Sequence, residues 1–145
     1  MSEFEQHIRN SYKKVEPYAR HDGVYKSFEA FFDVGTPGGQ PGSFCYSDEE
    51  GYHLGVVDVR GNISTNIATQ SLFEITYQVL HNYIFWMSFE YERNNRIEEQ
   101  DNRRVMFDKM LEYWGVIGNK FSEREQQKIN EALEGNPFVD EVLNL

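Results

Sequence analysis

One cysteine in 145 residues, Cys45, excludes an intramolecular disulfide and any cluster of thiolate ligands. It is expected to be a small buried hydrophobe in a strand, in a chain kept in a reducing compartment. A catalytic thiol needs a histidine beside it, and no spacing in the sequence supplies one. Long apolar runs are missing too: nothing approaches the ~20 residues of a membrane span. The first residues, Met1-Ser2-Glu3-Phe4-Glu5-Gln6, are polar and acidic and do not read as a signal peptide. The expected location is the cytoplasm, away from any membrane. Basic residues are scarce, 14 against 24 acidic, for a net charge of -10. The excess is uneven: residues 1–20 carry +1, 21–70 carry -5, 71–121 carry -2 and 122–145 carry -4. Phosphate-backbone binding needs clustered Lys and Arg, so a nucleic-acid ligand is not expected. A basic protein partner fits this charge, although acidity also serves solubility alone.

The length is that of one domain, and residues 1–145 are expected to form a single binding domain. Aromatics make up 15% of the chain, enough for large side chains to carry much of the core without disulfide or metal.

Hydrophobic periodicity gives the order of elements. Phe4, Ile8, Tyr12 and Val15 fall on one helical face, predicting a helix over 3–16 that Pro17 stops. Phe28, Ala30, Phe32 and Val34 alternate with other residues, predicting a strand over 23–34. Gly35-Thr36-Pro37-Gly38-Gly39-Gln40-Pro41-Gly42 reads as a loop. No Gly-Lys-Ser/Thr or following helix makes it a phosphate cradle. Segments 43–47 and 52–59 read as strands about the turn Asp48-Glu49-Glu50-Gly51. Arg60-Gly61-Asn62 turns the chain again into a strand over 63–67. Ser71-Leu72-Phe73-Glu74 has the form of a capping box. It opens a broad-faced helix bearing Leu72, Thr76, Val79, Leu80, Tyr83 and Met87 on one stripe. Val105, Leu111 and Trp114 mark a second helix ending near Gly115 or Gly118. A second capping box, Ser122-Glu123-Arg124-Glu125, predicts a helix to about Leu133, stopped by Gly135. The expected fold class is α+β: an N-terminal helix, a small antiparallel β-meander, and a C-terminal half of three helices packed on the sheet.

Chemistry-bearing patterns are few. His7, His21, His53 and His81 show no metal-ligand spacing. No nucleophile elbow is present. No catalytic residue, metal or cofactor is therefore expected, and adjacent carboxylates such as Asp48, Glu49 and Glu50 are usually just solvated. Residues 89–109 stand out because charge density rises while the aromatic stripe continues. Glu92–Arg96 and Glu99–Arg103 are spaced as helical ion pairs, and Gln100 and Arg104 share a face. These patterns suit a salt-bridged helix, or a partly buried network in which Glu90, Arg96, Asp101 and Arg104 tie the helix to the sheet.

Phe89-x-Tyr91-Glu92, followed by Asn95-Arg96-Ile97-Glu98-x-Gln100-Asp101-x-Arg103-Arg104-x-x-Phe107-x-Lys109-x-Leu111-Glu112, resembles the core of the immunity protein 63 family. Tyr83-Ile84-Phe85, Gly51-Tyr52-His53 and Asn136-Pro137-Phe138 add to the resemblance. Val139 stands where an acidic residue is expected. The likeness spans roughly 51–140, and the first fifty residues match nothing.

The resemblance implies a non-enzymatic protein that binds the C-terminal domain of a cognate bacterial toxin, of the polymorphic or contact-dependent kind, and blocks it. It carries no catalytic residues. The matched Glu90, Tyr91, Glu92, Arg96, Gln100, Asp101, Arg103 and Arg104 are expected to be structural, because recognition surfaces must differ between cognate pairs. If the toxin is a basic nuclease, its contacts are expected at Asp48, Glu49 and Glu50, then at Asp33, Asp58 and the acidic tail. Two other readings compete: a small enzyme or ligand-binding domain, and a structural interaction module using Trp86 and Trp114. Nothing indicates a homo-oligomer.

Overall fold

A computed structural model describes residues 2–30, 32–34 and 41–140. The chain divides into two compact units, one of residues 1–13 and 26–83, the other of residues 14–25 and 84–145.

The first unit opens with α1 (Glu3–Lys13). Ser2 Oγ accepts from the Glu5 N–H, supplying a partner that the helix start lacks. The helix buries the expected face of Phe4, Ile8 and Tyr12. It ends three residues earlier than the apolar spacing predicts. A 3-10 turn follows at Phe28–Ala30, then four strands: β1 (Phe32–Val34), β2 (Gly42–Asp48), β3 (Gly51–Val57) and β4 (Ile63–Thr69). Their order in the sheet is β1-β2-β3-β4. The β2-β3-β4 meander is antiparallel, as expected, with Tyr46 opposite His53 and Val57 opposite Ile63.

The strand expected over 23–34 shrinks to β1, which pairs parallel to β2. Its first half is held by side chains instead of a ladder. Arg9 reaches Glu29 at 2.8 Å and lies 4.7 Å above the Phe28 ring, while the Tyr12 hydroxyl donates to the Lys26 carbonyl. The Gly35–Gln40 part of the predicted loop lies outside the described residues; Gly42 already belongs to β2.

Aromatic packing joins these pieces. Tyr83 lies 4.6 Å from Tyr12 and 5.4 Å from Phe28, ring centre to ring centre, and its hydroxyl donates to the Phe28 carbonyl. Full burial of such a side chain contributes about 1.5–3 kcal/mol. Gly55 is required by close approach: a Cβ there would come within 2.4 Å of the Ser64 carbonyl oxygen and 2.6 Å of the Phe44 ring.

Helix α3 (Leu72–Asn94) begins in this unit. Ser71 Oγ accepts from the Glu74 N–H at 3.0 Å, the first half of the predicted capping box. Its early turns bury Ile75, Val79 and Leu80.

The second unit contains α2 (Glu16–His21), the later turns of α3, α4 (Asn102–Ile117) and α5 (Asn119–Gly135). Pro17 does not stop the first helix; it stands in the first turn of α2, where its missing N–H costs nothing. Asp22, just past α2, is tied to α4. Its Oδ2 accepts from Lys109 Nζ at 3.0 Å and from the Tyr113 hydroxyl at 2.7 Å. Lys109 also meets Glu112 and sits 4.0 Å over the Tyr91 ring. Burial works against its ammonium, and the bonds to Glu112 and Asp22 outweigh that, so its pKa is raised.

The last helix starts three residues before the predicted capping box. Phe121 stacks on the buried Trp114 at 5.4 Å, which draws the first turn into the unit. Ser122 lies inside that turn and its Oγ donates to the Asn119 carbonyl instead of capping. Among the described residues, no helix is long and apolar enough to cross a membrane.

Candidate functional site

Two arrangements hold the residues singled out by the sequence, one in each unit. The first is the β2–β3 turn. Asp48 Oδ1 accepts from the Glu50 N–H at 2.9 Å and lies 2.8 Å from His53 Nε2. His53 is only 8% exposed, and its ring stacks on Tyr46 at 4.7 Å. The hydrogen bond to His53, with help from the Glu50 amide, holds the Asp48 carboxyl below its usual value. Gly51 has φ +126, and a Cβ there would fall 2.6 Å from the Thr69 carbonyl oxygen, so the turn sits tightly against the end of β4. Glu49 and Glu50 remain exposed. Beside them lies a recess of about 570 Å³ whose lining includes Glu3, His7, Asp48, Glu50 and Tyr52.

Asp48, Glu50 and His53 each place one potential ligand atom within 4.8 Å of the others. Linear spacing gave no hint of this grouping, because the hairpin brings residue 53 back beside residue 48. The Asp48–His53 hydrogen bond accounts for the proximity without an ion.

Asp58 behaves like Asp48. Its Oδ1 accepts from the Arg60 N–H at 2.8 Å and the Asn62 N–H at 2.9 Å, closing the turn in which Gly61 takes φ +83. Those amides, Asn62 first, depress its pKa. Asp58 stands at the opposite end of β3 from Asp48, roughly 20 Å away at ~3.3 Å per strand residue. Asp33 belongs to β1, paired with Phe44. The structure thus brings Asp48, Glu49 and Glu50 together and leaves Asp58 and Asp33 apart from them.

The second arrangement is a strap. Residues 136–140 lie along the start of α4, fixed by the residues of the 89–112 motif. Asp101 caps α4 by accepting from the Arg103 N–H at 3.0 Å, and its Oδ2 takes the Val139 N–H at 2.9 Å. Arg103 donates to Asp101 and to the carbonyls of Asn136 and Pro137 at 2.8 and 2.9 Å. Arg104 forks onto both oxygens of Asp140 at 3.0 and 3.1 Å and lies 4.2 Å over the Phe138 ring. The Arg103 side chain, then the Val139 and Arg103 amides, hold the Asp101 carboxyl far below the usual carboxylate range. Glu92, 2% exposed, receives both arms of the Arg96 fork at 2.9 and 3.1 Å. Tyr91 lies under Lys109, and Gln100 helps line a shallow recess with Ile97, Arg104 and Phe138.

The predicted Glu99–Arg103 pair gives way to Asp101–Arg103. Glu99 takes the left-handed conformation, φ 67, in the loop before α4, so the helical spacing does not apply to it.

This is a set of hydrogen bonds spent on holding the chain to itself. The chain also matches the family described as Immunity protein 63 across residues 48–131. The chain belongs to the immunity protein 63 family. Neither curated proteins nor solved structures give a match. Family membership makes this an immunity protein of a toxin system, with a cognate toxin as the implied partner, in a family that is generally non-enzymatic. The matched span contains the β2–β3 turn and most of the strap's donors. The strap itself, with Asn136-Pro137-Phe138, lies beyond it.

Proposed function

We propose that residues 1–145 act as one binding domain that neutralises the C-terminal domain of a cognate toxin by stoichiometric protein–protein inhibition in the cytoplasm. Membership of the immunity protein 63 family is the observation that carries this reading. The charge of -10 favours a basic toxin, a nuclease domain above all, because opposite net charges steer association. The exposed Glu49 and Glu50, beside Asp48, are the carboxylates best disposed to meet it. Asp33 and Asp58 are weaker candidates; Asp58 is already engaged by the amides of its own turn. Inhibition covers the toxin's active site or its substrate-entry face.

Co-expression with the toxin domain encoded beside this gene is the test. Growth rescue and a 1:1 copurifying complex are expected. Absence of both, with each protein folded, refutes the proposal. For the steering part, Glu49→Lys with Glu50→Lys should slow association about tenfold at low salt. An association rate indifferent to salt and to these changes refutes the basic partner.

A further inference from the structure

Among the described residues β4 pairs only with β3, so its outer rim is an open sheet edge. Proteins ordinarily blunt such edges with charge, proline or short strands. Charge, proline and shortness are absent here; a bulge, a fourth such device, sits in the middle of the strand. The strand Ile63-Ser64-Thr65-Asn66-Ile67-Ala68-Thr69 has no charged residue and no proline, and it is as long as β2 and β3. The uncharged stretch runs from Gly61 to Phe73, in a chain of which 26% is charged. Ile63, Thr65, Ile67 and Thr69 are β-branched, the type that fits a pleated surface. The edge is also accessible and partly apolar: Ile63 is 57% exposed and Val59 in the preceding turn 87%.

We infer that the β4 edge receives an extended strand of the toxin, adding it to the sheet as a fifth strand. This rests on the reading that the chain neutralises its toxin by binding it. Main-chain hydrogen bonds would supply the affinity, and alternate side chains the selectivity, with Ile63 and, in the turn before it, Val59 as the apolar contacts.

Charge selects the occupant. Asp48, Glu49 and Glu50 stand at the Thr69 end of the edge, since Gly51 abuts the Thr69 carbonyl. At the Ile63 end, Asp58 is balanced by Arg60. A strand with Lys or Arg where it passes the Thr69 end therefore finds the exposed carboxylates of Glu49 and Glu50, with Asp48 beside them. A second copy of this chain brings the same charge of -10 and meets repulsion. The ladder also carries a bulge. Leu54 pairs with Ile67 but Gly55 with Thr65, leaving Asn66 as the extra residue. A bulged edge rejects a generic flat strand and admits one that follows its bend, which suits a cognate pair.

The test is hydrogen exchange on the full chain, alone and with the toxin domain encoded beside its gene, together with two double variants. Amides within 64–69 should slow at least about tenfold in the complex. Ile63→Lys with Thr65→Lys, and equally Ile63→Glu with Thr65→Glu, should weaken the complex at least about tenfold, since a charged rim of either sign obstructs strand addition. Both variants must keep the circular dichroism and the unfolding midpoint of the free chain. A tight complex in which β4 exchange is unchanged overturns the inference and spares immunity by binding. So does a glutamate variant that binds as well as wild type, which would make charge alone the attraction. A free chain already dimeric and protected at β4 overturns it in favour of a second copy. A wild-type chain that neither rescues nor binds removes the underlying reading, and this inference with it.

Discussion

The strap at 136–140 and the meander at 42–69 both depend on aspartates, and they use them oppositely. Asp101 and Asp140 bridge more than thirty residues of chain, Asp101 to Val139 and Asp140 to Arg104. Asp48 and Asp58 bond mainly to amides and a side chain within five residues of themselves. Long-range bonds spend a carboxylate on tertiary structure; local ones shape a turn and leave its neighbours unspent. Asp101, Arg103 and Arg104 thus hold the chain to itself, while Glu49 and Glu50 of the meander stay exposed. On the proposed reading, recognition that differs between cognate pairs falls on the second kind of surface.

The largest effect that sharpens this contrast lies in the scaffold's polar lock. Asp22→Ala removes the acceptor shared by Lys109 and Tyr113 and should cost about 1–3 kcal/mol, because Tyr113 loses its partner while Lys109 keeps only Glu112. Urea unfolding measures this. Under conditions where it stays folded, the variant should bind the toxin as wild type does. Lost binding by a folded variant would break the division between scaffold and recognition surface.

Acid tests both regions together. The carboxyls of Asp48, Asp58, Asp101 and Asp140 are all held below their ordinary value by hydrogen bonds, from His53, the Asn62 amide, Arg103 and Arg104 in turn. A depressed pKa stabilises the fold above the unfolded value, about pH 4, and that contribution is lost as pH falls through the folded value. The urea midpoint should therefore drop progressively below about pH 4. Asp101→Asn should be less stable near neutrality and lose less on acidification than wild type. Equal acid sensitivity would show that Asp101 is not the principal titrating anchor.

A smaller gain is expected from Glu99→Gly. Glu99 occupies the left-handed region at the approach to α4, where a side chain is disfavoured, so glycine should stabilise by up to about 1 kcal/mol. Thermal unfolding reads the sign; a loss of stability would mean that the Glu99 side chain makes a contact worth more than the strain.

The smallest expected signal concerns Cys45. Burial, with the nearby Glu5 charge adding, pushes its thiol up to about 12. A thiol reagent at pH 8 should leave the native chain unmodified and react on unfolding. Rapid native modification would mean that β2 opens readily.

Much of this was legible beforehand wherever the physics is local. Helical periodicity locates α3 and α4, turn chemistry locates both hairpins of the meander, and four residues from Ser71 to Glu74 give the cap that Ser71 makes. What escaped depended on distant partners. Arg103 reads as the mate of Glu99 until the loop takes Glu99 out of helical conformation and the strap offers the carbonyls of Asn136 and Pro137. His53 reads as solitary until a two-residue turn returns it to Asp48. The strand expected over 23–34 keeps only Phe32–Val34 in the sheet, because Arg9 and Tyr12 of α1 claim the residues before it. Of the candidate surface, the carboxylates were visible in composition, but the open edge was not. An unpaired rim follows from strand order, which no periodicity encodes.

The two-residue link between β2 and β3 carries an evolutionary consequence. Asp48, Gly51 and His53 build the bend, while the side chains at 49 and 50 contribute nothing to building it. Those two exposed positions are therefore expected to accept other side chains at little cost to the turn, provided residue 50 keeps its amide N–H. If the proposed toxin contact lies there, a lineage whose toxin drifts has, at the tip of this hairpin, two letters it can rewrite while the rest of the text stays unchanged.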